Sequence, residues 1–209
     1  TLAERLAAAA TAATAAVLCS SVLFETSSLV PGLGELAARC RESSVPLLID
    51  AYHHFVAVPF DRAAIGDDVF VLGGGYKYAQ WGEGNCFMVV PEGCELRPVY
   101  TGWFADFALL AERRSDAPVT YGERLADRFA GSTYDPVSHY RARAVDRFFE
   151  SMGLDGATLR ATSLRQTGRV LAALGDHDVA TPREPERRAG FVAVRVADAA
   201  AVVDALRAE

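Results

Sequence analysis

The segment from Ala15 to Asp50 constrains the fold more than any other part of the chain. An apolar stretch of strand length, Ala15 to Phe24, is interrupted only by Ser20 and Ser21. The segment Thr26-Ser-Ser-Leu-Val-Pro-Gly then opens a helical pattern, Leu33 to Arg41, and a short apolar run, Val45 to Ile49, ends at Asp50. Strand, helix and strand within about 35 residues make a βαβ unit. Its parallel strands need a crossover between them and cover on both faces. Asp68 to Leu72 and Cys86 to Val90 continue the pattern as third and fourth strands, and an Ala-rich helix, Leu2 to Ala10, precedes it. The class is therefore α/β, with a mostly parallel sheet flanked by helices.

Beyond Pro98 the pattern changes. Tyr100 to Tyr134 carries aromatic residues without a clear period and reads as connecting structure. Helical periodicity returns from Val137 and again from Leu159 to Leu174. The alternating run Gly190-Phe-Val-Ala-Val-Arg-Val predicts a strand, and Ala197 to Ala208 a last helix. Helix, strand and helix of this kind suggest part of a smaller α+β domain.

Composition removes several classes of function. The 209 residues are 51% hydrophobic and 23% charged, which is ordinary globular usage rather than disorder. A net charge of −6 with no basic stripe excludes a nucleic-acid partner. Polar residues break every apolar stretch before the length of a membrane span, so no membrane association is expected. The cysteines Cys19, Cys40, Cys86 and Cys94 form no CxxC pair and have no histidine at ligand spacing, so no metal site is expected. They read as buried thiols in a reducing compartment, which makes the expected location cytoplasmic.

The chemistry gathers around one residue. Of 21 basic side chains only Lys77 is a lysine. Arginine often replaces lysine where charge alone is needed, but it cannot form a Schiff base. In open parallel sheets, ligands collect at the carboxyl ends of strands. Three polar features fall there: Ser20, Asp50 with His53, and Gly73-Gly-Gly-Tyr76-Lys77-Tyr78. Taken singly, Lys77 reads as a charge at a tight turn, Asp50 as a helix cap and His53 as a core histidine. Taken together, a carboxylate at one strand end and an amine at the next are what pyridoxal 5'-phosphate (PLP) requires: a partner for its ring nitrogen and a nucleophile for its aldehyde.

Leu47-Leu-Ile-Asp-Ala-Tyr-His-His, Val69-Phe-Val-Leu-Gly-Gly-Gly-Tyr-Lys-Tyr and Gly82-Glu-Gly-Asn-Cys-Phe-Met-Val-Val resemble the class V, fold-type I PLP enzymes. Within that group, Tyr76-Lys77-Tyr78 and Thr101-Gly102-Trp103-Phe104 are similar to kynureninase. The resemblance implies that residues 1–138 are part of the large PLP-binding domain, and that 139–209 hold linking helices and part of the small C-terminal domain. It implies that Lys77 holds the cofactor aldehyde and moves protons, that Asp50 pairs with the pyridine nitrogen, and that His53 lies at the cofactor's polar edge. Tyr76 and Trp103 would donate to the phosphate and Ser20 would touch the cofactor. Tyr134, with Thr133 as the competing candidate, would reach the phosphate in a partner subunit of a homodimer. The implied reaction is hydrolytic Cβ–Cγ cleavage of an amino acid, kynurenine to anthranilate and alanine. A class V aminotransferase or a cysteine desulfurase-like β-lyase shares the early steps, and a non-catalytic relative retaining the fold is the reading from another class.

The departures lie on the substrate side. Ala105-Asp106 follows Phe104 where kynureninases usually have Gly-His, and Thr133-Tyr134-Asp135-Pro136 stands where the family often has a Pro-Pro segment. The family's phosphate-binding loop and ring-stacking aromatic would precede Thr1, and its carboxylate-gripping arginine would follow Glu209. The chain is thus expected to be an internal piece of a longer protein, holding the lysine half of an active site.

Overall fold

A computed structural model describes residues 1–112, 120–131 and 133–209. The chain opens with α1 (Leu2–Ala9), started by a capping box. The Thr1 hydroxyl accepts from the Glu4 amide and the Glu4 carboxylate returns to the Thr1 amine at 2.6 Å. There follow β1 (Val17–Ser20), α2 (Leu33–Glu42), β2 (Leu47–Asp50), the single-turn α3 (Arg62–Ile65), β3 (Phe70–Gly74) and β4 (Cys86–Val89). A 3-10 segment, Trp103–Ala111, and the short α4 (Leu125–Arg128) lead to α5 (Pro136–Ser151) and α6 (Gly156–Ala173). A 3-10 turn at Pro185–Arg187 and α7 (Ala199–Ala208) complete the order.

The sheet runs β1-β2-β3-β4. The first three strands are parallel, as the βαβ pattern requires, and β4 is antiparallel to β3. The reversal follows from the connection: the loop from Gly75 to Asn85 is too short for a crossover, so the chain turns straight back. Strand alternation decides the core. Val17, Cys19, Leu47, Ile49, Val69 and Val71 point to one face and pack on Ala3, Ala10, Leu33, Leu36, Ala37 and Cys40 from α1, α2 and the turn after α1. Leu36, Leu47 and Ile49 are almost fully buried, each contributing roughly 1.5–3 kcal/mol. On the opposite face Leu18 is 69% exposed, so this stretch of sheet is covered densely on one side only.

The strand expected from Gly190 to Val196 does not form. A single bridge, Val179 to Val194, with the Ala180 amide donating to Ala193, is what remains of it. The segment instead turns toward the loop after β1, where the Ala189 amide donates to Ser27 O at 2.7 Å and the Leu29 amide to Arg187 O at 2.9 Å. Alternating side chains satisfy one face of a strand, but without a neighbouring backbone of matching length no ladder forms. Among the described residues no helix is long and apolar enough to cross a membrane, and no group of metal-ligating side chains gathers.

Candidate active site

The sheet register sets two predicted residues side by side. Ser20 ends β1 directly opposite Asp50 at the end of β2. Its hydroxyl donates to Asp50 Oδ2 at 3.1 Å, while the Tyr52 amide donates to Asp50 Oδ1 at 2.9 Å. The neighbouring Ser21 hydroxyl donates to the Asp50 carbonyl at 3.0 Å. Both carboxylate oxygens are therefore oriented by the strand ends themselves.

From this edge the turn after β2 carries His53 toward Lys77, whose Nζ lies 3.1 Å from His53 Nε2. Burial holds the His53 imidazole below its ordinary value, the charge of Lys77 pushes the same way, and Asp50 opposes both. A neutral imidazole that accepts at Nε2 carries its hydrogen on Nδ1, and Nδ1 is buried without a partner among the described residues. Lys77 Nζ also lies 5.0 Å from the centroid of the Tyr76 ring, which is itself 5.9 Å from that of Tyr52. β3 ends in glycines because the neighbouring rings need the space: a Cβ on Gly74 would stand 2.0 Å from the Tyr52 ring.

Two further residues join the cluster that the sequence did not single out. Phe24 and Phe191 flank His53, with ring centroids 5.4 and 5.2 Å away, and lie 6.2 Å from each other. Phe24 is 74% exposed, an apolar surface standing open beside His53. Only the docking of the C-terminal segment on the loop after β1 creates this group. The Phe191 amide donates to Ser27 Oγ across 164 residues of chain, a contact no local pattern announces.

The remaining predicted residues lie in the aromatic stretch. Trp103 begins the 3-10 segment and is 58% exposed. Tyr134 packs its ring on Phe104 and His139 at 5.8 and 5.1 Å and borders an open cleft of about 970 Å³ with Phe107, Tyr121 and Arg124. Among the described residues, no hydrogen bond or ring contact ties Trp103 or Tyr134 to the Lys77 cluster. Tyr78, the other tyrosine beside the lysine, lies against Gly190, and burial raises its phenol above the ordinary value.

No protein-family model and no curated protein matches the chain. Solved structures do. The apo cysteine desulfurase of Thermococcus onnurineus NA1 superposes with a TM-score of 0.72 at 17% identity, covering 92% of this chain and 48% of the other. The fold is that of the fold-type I PLP transferases. The serine palmitoyltransferase of Sphingomonas wittichii has the same fold-type I architecture at a TM-score of 0.59 and 18% identity, over 97% of this chain and 45% of that one. The alanine–glyoxylate aminotransferase of Nostoc sp. follows at 0.57 and 17%, over 92% and 49%. The chain spans about half the length of these enzymes. Another fold-type I structure of this kind, the serine palmitoyltransferase of S. paucimobilis, holds a PLP–myriocin aldimine.

The residues at the strand ends fit such a cofactor. An oriented carboxylate, a primary amine and an imidazole nitrogen lacking a partner stand on one sheet edge. Their chemistry matches a pyridine nitrogen, an aldehyde and a polar ring substituent.

Proposed function

We propose that the chain carries the lysine half of a PLP-dependent enzyme acting on an amino acid. The observation that carries the reading is the Lys77–His53 contact, standing beside the doubly held Asp50 carboxylate at the carboxyl ends of parallel strands. PLP bound there would supply an electron sink for charge developing at the substrate's α-carbon. Lys77 is the amine that would hold the aldehyde and, once released, carry a proton to or from the substrate carbon. Asp50 would keep the ring nitrogen protonated, and its two hydrogen bonds fix the carboxylate for that task. His53 would set the Lys77 amine and offer Nδ1–H to the ring's polar edge. Tyr76, Trp103 and Tyr134 are the proposed phosphate donors, Tyr134 toward a partner subunit in a homodimer.

Two readings compete for this half-site. The likeness to a desulfurase and an aminotransferase supports a class V aminotransferase or a β-lyase. The Tyr76-Lys77-Tyr78 and Gly102-Trp103-Phe104 motifs support kynureninase-like hydrolytic cleavage. The exposed ring of Phe24 beside His53 adds to the support for the second, because an aromatic substrate side chain would bury it, while the likeness in fold weighs toward the first.

The deciding experiment adds PLP to the purified protein, reduces with borohydride and maps the modified peptide by mass. A pyridoxyl group on Lys77, absent from Lys77→Ala, is expected; an unmodified Lys77 overturns the proposal. Turnover of kynurenine to anthranilate and alanine, set against sulfide from cysteine and keto acid from an amino donor, then separates the three reactions.

A further inference from the structure

We propose that Trp81 and Asp146 form a latch that positions Lys77, with α5 holding the lysine loop in place through one indole hydrogen bond. The loop leaves β3 at Gly75 and closes on itself. The Trp81 amide donates to Gly75 O at 2.8 Å, and the Gly75 amide donates to Asn85 O at 2.7 Å. Between them the chain turns tightly, with the Gln80 amide donating to Lys77 O at 3.2 Å and Gln80 itself at φ 58°. A glutamine in the left-handed region is strained, and such a conformation persists only where its surroundings hold it.

The next residue holds it. The Trp81 ring lies against Gly75, where a Cβ would stand 2.6 Å from Cε3, and meets the Phe55 ring nearly edge-on at 5.2 Å. Its Nε1–H donates to Asp146 Oδ1 on α5 at 2.9 Å. Two more contacts bring the same helix to the same loop. Asn85 Nδ2 donates to Ser138 O at 2.9 Å, and the Arg141 side chain lies over Gly82. Of these contacts, only the indole bond pairs a neutral donor with a carboxylate, the stronger kind of hydrogen bond. It acts on the residue that follows the strained turn, four positions after the lysine. Without it the turn at Gln80 relaxes and Lys77 Nζ loses its place beside His53. Trp81 and Asp146 are thus positioning residues that act through the loop.

The inference rests on the reading of Lys77 as the cofactor's amine, and its test separates the two. Lys77 is the only lysine in these residues, so lysyl endoproteinase cleavage after it, identified by fragment mass, reports opening of the loop. The variants are Trp81→Phe, which keeps the ring and removes the N–H, Asp146→Ala, and Asp146→Asn, which keeps a carbonyl acceptor. Asp155→Ala, which uncaps α6, controls for general loosening. Trp81→Phe and Asp146→Ala should each speed cleavage at Lys77 about tenfold and slow borohydride-trapped PLP uptake by about as much, the size of losing one charge-assisted hydrogen bond. Asp146→Asn should restore most of both rates. Wild-type cleavage rates in Trp81→Phe and Asp146→Ala, or equal acceleration in Asp155→Ala, overturn the latch. A wild-type protein that takes up no PLP overturns the cofactor reading instead, and the cleavage comparison still decides the latch.

Discussion

His54, next in sequence to the candidate site, links stability to pH. Its Nε2 lies 3.1 Å from Pro59 O, its ring meets Phe60 edge-on at 4.9 Å, and its Nδ1 is buried without a partner among the described residues. Burial holds the imidazole below its ordinary value, the charge of Arg160 adds to the shift, and the Pro59 carbonyl works against both. A folded state that refuses a proton which the unfolded chain accepts near pH ~6.5 loses stability as pH falls through that value. His53 shifts the same way, so both histidines steepen the decline. Urea midpoints should fall between about pH 7.5 and pH 5.5, with a slope of at most about 1.4 kcal/mol per pH unit for each proton. Substituting His54→Gln should flatten the curve, and an unchanged slope in that variant would show that His54 is not responsible. Asp50 gives a second test. Removing one of its two hydrogen bonds in Ser20→Ala should weaken PLP retention a few-fold, and Asp50→Ala should weaken it far more, both read by dialysis of the coloured protein.

Where sequence signals were local, the elements follow them closely. α5 begins at Pro136, one residue before the helical pattern suggests, because Asp135 caps it: its two carboxylate oxygens accept from the Val137 and Ser138 amides at 2.9 and 3.2 Å. Asp135→Ala should cost about 1 kcal/mol, read as a lower denaturant midpoint at unchanged slope, with Asp135→Asn recovering most of it. The four strands and α2 were legible for the same reason, since alternation and helical spacing reside in the segments themselves. The four-residue α3 has too little sequence to show a period. The Gly190 segment has the alternation of a strand but finds a partner long enough for a single bridge only, at Val179. The site divides along the same line. The gathering of Ser20, Asp50, His53 and Lys77 was legible because they sit at or just beyond strand ends, which the pattern fixes. Phe24 and Phe191 were not, because their meeting depends on how a distant segment docks.

That docking runs through one buried arginine. Arg188 is 4% exposed and has no acidic partner among its hydrogen bonds. Its guanidinium donates to Thr167 Oγ1 at 3.1 Å and Leu164 O at 3.4 Å on α6, and to the Arg183 carbonyl. Arg160, also on α6, donates to Pro185 O at 2.6 Å and to the Arg188 carbonyl at 2.9 Å, so two arginines clasp the 183–188 turn to the helix. The same turn continues into the bridge between Ser28 and Arg188 and into the contacts of Ser27 with Ala189 and Phe191. One chain of contacts therefore runs from α6 through Arg188 to the loop after β1, and so to the rings beside His53 and Lys77. Removing the guanidinium takes its donor from the Arg183 carbonyl and the Thr167 hydroxyl and leaves a cavity at a buried position, so Arg188→Ala should lose about 2–4 kcal/mol in chemical denaturation. It should also free Phe191 from its seat, so that Phe191→Ala added to Arg188→Ala costs less than Phe191→Ala alone. Additive losses would mean that Phe191 keeps its place without the clasp, and that the lysine site is built by the loop after β1 alone.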